Sequence, residues 1–445
     1  MVEYNKYPQY KDSGVEWLGK IPVDWNVFKL RRSVSKINGG VWGEEPDIQE
    51  ETIRCVRVAD FDRHDSSIHS RNPTTRSYLK NEIIKKAAHD GDLIIEKSGG
   101  GEKTPVGNVV LYRGSIPIMY SNFVCKVSLS ENQNSAFWCY MHKTLYGYGI
   151  NLRSIKQNTG IQNLDIDSYF DEKVCFPPLA TQNQIVSFLD AETRKIDDSV
   201  SSMESLISLL TEKRAALISE TVTRGIPGEH TEFKDSGVEW LGEIPTSWDK
   251  ISFGQLFKRI KTMGTGKEEL LSVYREYGVI PKSSRSDNHN VASEDLSKYQ
   301  IVRKNDLVIN KMKSWQGSLA ISEYDGIVSP AYFVFESKVK YKNNLKFLHY
   351  IMRSSSYKGF YSSISKGIRL GQWDLDQKSH KTMPILVPLI NEQDRIVSFI
   401  EAELPKIDAI INEAKKSIEL LKEKRQTLIS DVVTGKIDVS VEKIL

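Results

Sequence analysis

Lysine, arginine, asparagine and glutamine gathered on short glycine-bearing stretches are the side chains that can bond base edges, and this sequence carries two such stretches. Residues 151–165 read NLRSIKQNTGIQNLD and residues 363–374 read SISKGIRLGQWD. Arg and Lys can bond guanine O6 and N7, and Asn and Gln can bond adenine N6 and N7. Candidate DNA contacts are therefore Arg153, Lys156, Gln157, Asn158, Gln162 and Asn163 in the first stretch, and Lys366, Arg369 and Gln372 in the second. A further candidate surface is KSGGGEK at 97–103, with KMKSWQ at 311–316 as its equivalent; it adds Lys97, Lys103, Lys311, Lys313, Trp315 and Gln316. Its glycines would let the backbone approach a duplex closely, and Trp315 could meet a sugar or a thymine methyl. A solvated loop competes as a reading of the long stretches, and a plain hairpin loop as a reading of 97–103. The matched order of these segments in both halves of the chain favours a functional role.

Covalent chemistry finds no comparable support. GGGEKT at 99–104 resembles a phosphate loop, but Glu102 separates Gly101 from Lys103 and the GxxxxGK[ST] spacing fails. The NPP-aromatic signature of adenine methyltransferases does not occur: Asn72-Pro73 continues with Thr74, and Pro177-Pro178 follows Phe176. Asp92 with Glu96-Lys97 resembles a nuclease carboxylate set, yet the Glu-x-Lys spacing is wrong. The eight histidines form no HExxH or HxH arrangement, so no metal site is assigned. Cys55, Cys125, Cys139 and Cys175 contain no CxxC pair and read as buried free thiols rather than metal ligands or disulfides. No catalytic residue is assigned, and any chemistry must come from partners.

The elements that would position the base-reading stretches are written twice. KDSGVEWLGKIPVDW at 11–25 and KDSGVEWLGEIPTSW at 234–248 agree at twelve of fifteen positions. A second repeat follows each large domain: IVSF at 185–188 and again at 396–399, with the alignment continuing without a gap at an offset of 211 residues. It pairs Glu212-Lys213-Arg214 with Glu423-Lys424-Arg425 and Leu217-Ile218-Ser219 with Leu428-Ile429-Ser430. These repeats read as long helices. Thr181 with Gln184, and Asn391 with Asp394, have the capping-box spacing. Gly225 with Pro227, and Gly435, supply stops, while Pro405 would kink or restart the second helix. One stripe runs Ile196, Val200, Met203, Ile207, Leu210, Arg214, Leu217, and its counterpart runs Ile407, Ile411, Ala414, Ile418, Leu421, Arg425, Leu428.

Alternating steps of four and three are the seam of a coiled coil, and the two seams can cover each other within one chain. An amphipathic helix lying on a globular core is the alternative. Length argues against it, since 43 residues from 181 to 223 would extend about 64 Å at roughly 1.5 Å per residue. Antiparallel pairing would relate the two halves by a pseudo-twofold axis, which duplex DNA also has. Arg214 and Arg425 interrupt the seam and are expected to snorkel at its end.

The predicted architecture is α/β: two mixed α/β recognition domains separated by two long helices that form an intramolecular antiparallel coiled coil. The expected boundaries are 1–25 for the first repeated segment, 26–176 for the first domain and 177–226 for the first helix. Linker and repeated segment follow at 227–248, the second domain at 249–386, and the second helix with its tail at 387–445. Such a length calls for more than one core. Net charge is only +3, but 249–386 holds 23 Lys plus Arg against 13 Asp plus Glu, whereas 26–176 holds 20 against 18. Within 338–381 there are ten basic and two acidic residues, which suggests a basic surface or, more plainly, a solvated lysine-rich face. With no long apolar run and a polar amino terminus, the chain reads as cytoplasmic.

The paired KDSGVEWLG-x-IP segments before each variable domain, and the paired PL…Q-x-x-IVSF…EKR-x-x-LIS helices after them, resemble the specificity subunit of type I restriction-modification systems across nearly the whole chain. The resemblance implies a non-catalytic reader of double-stranded DNA, with one recognition domain for each half of an asymmetric bipartite site and helices that set the gap. It implies assembly with two modification subunits, which methylate adenine using S-adenosylmethionine, and with restriction subunits using ATP and Mg. Those cofactors would belong to the partners. The Gln-Asn-Leu run at 162–164 has no counterpart in the second domain, which leaves that domain's base contacts open. Trp17, Trp25, Trp240 and Trp248 are expected to pack where domain meets helix, with a docking surface for the modification subunits as the alternative.

Overall fold

Each tryptophan-bearing repeat folds into a small antiparallel hairpin, Tyr10–Asp12 with Lys20–Pro22 and Phe233–Asp235 with Glu243–Pro245. Identical residues produce identical bonds. Gly14 N–H donates to Asp12 Oδ1 at 2.9 Å, and Gly237 N–H to Asp235 Oδ1 at 2.9 Å. Gly14, Gly19, Gly237 and Gly242 all take positive φ, between 63° and 69°, a backbone state that other residues adopt only at a cost. Trp25 and Trp248, which close the repeats, are fully buried.

The computed structural model describes residues 4–46, 52–69, 71–158, 160–275, 277–285, 295–338, 342–369 and 372–440. The chain divides into two units: 1–202 with 417–445, and 203–416. Each is built on a four-stranded antiparallel sheet. In the first unit the order is Val109–Leu111, Leu93–Glu96, Val124–Leu129, Val34–Gly39. In the second it is Leu319–Ile321, Leu307–Asn310, Tyr332–Ser337, Phe257–Ile260. The strands anticipated at 92–97 and 306–311 are thus central in their sheets, which is why they read as short unbroken apolar runs.

A helix follows each sheet, Ser135–Gly147 and Leu345–Arg353. Both start on an asparagine cap: Asn134 accepts from the amides of Ala136 and Phe137, and Asn344 from those of Lys346 and Phe347. The same asparagines fasten the long helices. Gln182 Oε1 accepts from Asn134 N–H at 2.9 Å while its Nε2 donates to Pro177 O; Gln393 does the same with Asn344 N–H and Pro388 O. These helices run Leu179–Arg224 and Ile390–Val433. They begin earlier than the capping-box spacing suggested, one or two residues after a proline (Pro178 and Pro388), so Thr181 and Asn391 lie within the first turn. Pro405 lies inside the second helix without ending it; its ring faces solvent.

Every residue of the two anticipated stripes is buried or half-buried, and the positions on the opposite face are exposed. Within the first unit, Cys175 lies against Val433 O at 3.3 Å and Asp197 against Arg425 at 2.9 Å, so the helical segments there run antiparallel. In the second, Val222 shares a core with Ile396 and Ile400 while Arg214 meets Asp408, again antiparallel. The two arginines do not snorkel. Arg214 Nε donates to Asp408 Oδ1 at 2.9 Å and Arg425 Nε to Asp197 Oδ1 at 2.9 Å. The 211-residue offset turns one pair into the other. Gly435 closes the second helix at φ 77°, where a Cβ would fall 2.5 Å from Pro22 Cδ. Among the described residues no helix is long and apolar enough to cross a membrane.

Candidate nucleic-acid interface

The polar stretch 151–165 is not a loop throughout. A 3-10 turn, Ile150–Ser154, leads into a β-hairpin of Ile155–Asn158 and Ile161–Leu164, turning at Gly160 with φ 86°. Ser98–Gly99 adds a third strand, pairing Ser98 with Asn163 and Gly99 with Gln162. The two candidate surfaces of the first domain are therefore one surface. Gly100, at φ 51°, lets the chain fold back so closely that a Cβ would meet Val106 N at 2.8 Å. Beyond it, Gly101 and Thr104 exchange backbone hydrogen bonds and leave Glu102 and Lys103 at the tip of a tight turn.

The second domain reaches the same result with other residues. Ser365–Arg369 pairs with Gln372–Leu375, and Leu375 N–H donates to Lys311 O at 3.1 Å. Trp315 and Trp373 have ring centroids 4.7 Å apart, so the 311–316 turn is stapled to the hairpin by an aromatic pair. Trp315 Nε1 donates to Met312 O, which leaves the ring edge rather than its polar tip for contacts.

Individual candidates divide sharply. Lys103, Lys313 and Lys366 are exposed, and among the described residues their ammonium groups make no hydrogen bond or ion pair. Lys97 is half-buried, and among the described residues its ammonium likewise has no bond. Lys156 is exposed but meets Asp165 at 2.5 Å, and that hydrogen bond holds the lysine above its ordinary pKa and the carboxyl below its own. Arg153 lies 3.7 Å from Glu172. Asn163 Oδ1 accepts from Ser98 Oγ at 2.7 Å and Gln316 Oε1 from Arg275 at 2.8 Å, so each keeps its amide group for outside partners. Lys311 leans inward over the Phe333 ring and donates to Pro330 O; burial and the nearby Arg259 and Lys261 push its pKa down. Gln162 departs from expectation: it is 8% exposed, with Oε1 turned to Val106 N–H, and it anchors the hairpin. The side chains of Gln157, Asn158, Arg369 and Gln372 lie outside the described residues, although their backbones belong to the hairpin strands.

Two exposed aromatics beside the first hairpin escaped the sequence reading. Trp42 and Phe123 are 38% and 45% exposed and flank a cleft that Ser98, Gly99 and Asn122 complete. Phe123 O accepts from both Lys97 N–H and Ser98 N–H. The only sequence signal was an aromatic residue at the entry of a strand, a common core feature.

The carboxylates that resembled a nuclease set are committed elsewhere. Asp92 accepts from Ser128 Oγ at 2.6 Å, and Glu96, fully buried and pushed up in pKa by that burial, meets Arg63 at 2.9 Å. His64, Asp65 and Asp197 bring possible ligand atoms within 4.8 Å of one another, but Arg425 already donates to Asp197 and lies 3.8 Å from Asp65. A guanidinium in that position competes with any cation. All four cysteines are buried and free, and burial pushes Cys139 up to about 11 and Cys175 up to about 12. Reactive thiolates are not formed there at neutral pH.

Comparison with known proteins follows the same two halves. A family model described as the type I restriction modification DNA specificity domain matches residues 22–199 and again 245–420. The chain is 22% identical over 448 residues to the type I restriction enzyme MjaVIII specificity subunit of Methanocaldococcus jannaschii, covering 94% of each. It is 19% identical to the EcoKI specificity subunit of Escherichia coli, covering 94% of this chain and 90% of that one. Among solved structures, one concerned with complex assembly and conformational transition of the type I R-M system superposes with a TM-score of 0.65 at 12% identity, over 93% of this chain and 98% of its own. The HsdS subunit of Thermoanaerobacter tengcongensis gives 0.51 at 13% identity, over 94% and 98%.

Proposed function

The chain belongs to the type I restriction modification DNA specificity family, and from that premise we propose that its two variable domains each read one half of an asymmetric, bipartite DNA site. The observation that carries this is the matched pair of hairpins. Each stands at the same place in its domain, each is tied to a second turn, and each carries a lysine on its first strand, Lys156 or Lys366, while most of the other residues differ between the two. A common frame with unlike tips is what one chain needs to read two unlike sequences. Lys103, Lys156 and Asn163 are the first domain's contacts in this reading, with Lys97, Arg153, Gln157 and Asn158 around them. Lys313, Lys366 and Gln316 serve the second, with Arg369, Gln372 and the Trp315 ring.

The long helices set the gap between the halves, through the seam from Ile196 to Leu217 and its partner from Ile407 to Leu428. Bound to DNA, the chain directs two modification subunits to methylate adenine with S-adenosylmethionine, and restriction subunits to cleave with ATP and Mg; those reactions belong to the partners. Selection of duplexes from a random pool by the complex with its modification subunits tests this reading. Two fixed letter groups around an unspecified gap of constant length are expected. A single continuous motif, or binding without preference, would refute it.

A further inference from the structure

The second domain carries a feature that base reading does not use. Phe253, Phe257 and Phe335 with His380 form the floor of a cleft of about 450 Å³. All four are buried, and Phe253 packs at 4.0 Å between centroids on His380 and at 5.0 Å on Phe257. Around this apolar floor stand Lys258, Arg259, Lys338, Lys378 and Lys381, and among the described residues no carboxylate lines the cleft. Three of the five cations have internal partners: Lys258 meets Glu336 at 3.2 Å, Arg259 meets Gln377 at 2.6 Å, and Lys338 donates to Gly254 O at 2.6 Å. Lys378 and Lys381 are exposed, and among the described residues neither ammonium has a hydrogen-bond or ion-pair partner.

Continuity joins this cleft to the reading hairpin. Arg259 lies over the Phe333 ring at 4.4 Å, and Lys311 lies over the same ring at 4.9 Å. Lys311 O in turn accepts from Leu375 in the hairpin. The corresponding corner of the first domain is neutralised. Five residues after each repeat's last tryptophan, the two halves of the chain enter equivalent turns, and there Arg31 stands where the second domain has Gly254. Arg31 and Lys29 both pair with Asp171. At the 211-residue offset Asp167 occupies the place of Lys378.

We infer that this cleft grips backbone phosphates of the duplex beside the second half-site, so that the second domain carries most of the salt-dependent, sequence-independent affinity. The inference rests on the DNA-reading role of that domain. A phosphodiester is the class that fits: it supplies charge to the ammonium groups of Lys378 and Lys381, which stand on flexible stems over packed aromatic rings. Positioning contacts of this kind hold a domain in register without informing on sequence.

The experiment compares the intact chain with a Lys378→Gln/Lys381→Gln variant, both in complex with the modification subunits. Binding to target and non-target duplexes is measured across a salt series. Both substitutions are at exposed sites, and an unchanged melting temperature confirms folding. Affinity for the two duplexes should fall in parallel, the log–log salt slope should shrink by about one unit per lysine, and the half-site letters should stay the same. An unchanged slope and affinity would overturn the inference. So would altered letters in the second half-site, which would make the lysines base readers, or loss of modification subunits, which would make the cleft a protein-docking surface. Target preference of the unaltered chain is the internal control. If it is absent, the reading of the domain as a DNA reader fails; if it is present while the variant behaves identically, only the phosphate grip fails.

Discussion

Lys366 stands on the second domain's hairpin and Lys103 at the tip of the turn beside the first domain's hairpin, and their substitution separates the two domains. Lys366→Gln should relax the letters of one half-site only, at about 1–3 kcal/mol of discrimination if it bonds a base edge. Lys103→Gln should act on the other half alone. Selection of bound duplexes with each variant checks both outcomes, and equal damage to both halves would make these lysines structural. A different group of residues governs stability. Burial pushes the imidazoles of His142, His349 and His380 down to about 3 from an ordinary 6.5. Between those values the unfolded chain binds more protons than the folded one, so their contribution is complete above pH 6.5 and drains away as pH falls. His142→Gln, which can keep the bond to Tyr169, should flatten the fall in melting temperature between pH 6.5 and 4. Composition made the polar tips legible, since Lys, Asn and Gln around glycine stand out. The orientation of Gln162 was hidden, because its neighbour Val106 lies 56 residues away and only the folded turn at Gly100 brings them together.

At the level of elements, the seam was the most legible part of the sequence. Steps of four and three marked one stripe on each helix, and the residues of that stripe are buried or half-buried, because burial on a helix follows its geometry. The role of Arg214 and Arg425 was not legible. Their partners lie 194 and 228 residues away, and the pairing only makes sense once the helices are known to run antiparallel. The two ion pairs differ in surroundings: Arg425 is 9% exposed and Arg214 39%. Arg425→Ala should therefore cost on the order of 2 kcal/mol, mostly through stranding Asp197, whereas Arg214→Ala should cost about 0–1 kcal/mol. Exchanging the charges, as in Arg425→Asp with Asp197→Arg, should recover part of the loss. Thermal melting of the single and double variants measures the coupling, and additive losses would remove the pair as a register device. The hairpins escaped detection as strands for a related reason: Ser98–Gly99 is too short to show a period of two, and its partner is far along the chain.

Across the whole chain, duplication was visible before any fold was known, and the near-identical repeats fold alike down to the bond that Gly14 donates to Asp12 and Gly237 donates to Asp235. Divergence between the repeats was where the sequence became opaque. The charge excess of 249–386 was countable, but its focus on an acid-free cleft depends on bringing 253–259 together with 377–381, more than a hundred residues later. The reciprocal Arg–Asp pairs also suggest how the gap can be altered cleanly. Seven residues inserted in each long helix between its aspartate and its arginine would preserve both pairs and the seam. The central claim is that the helices measure the gap while the hairpins choose the letters. Mapping methylated adenines in cells that supply the modification subunits, with the natural chain and with this lengthened one, tests it most directly. The account predicts one asymmetric two-part motif for the natural chain, and for the lengthened chain the same letters across a wider gap, by roughly three base pairs at about 1.5 Å per residue and 3.4 Å per base pair. Changed letters, or an unchanged gap in an active complex, would contradict it.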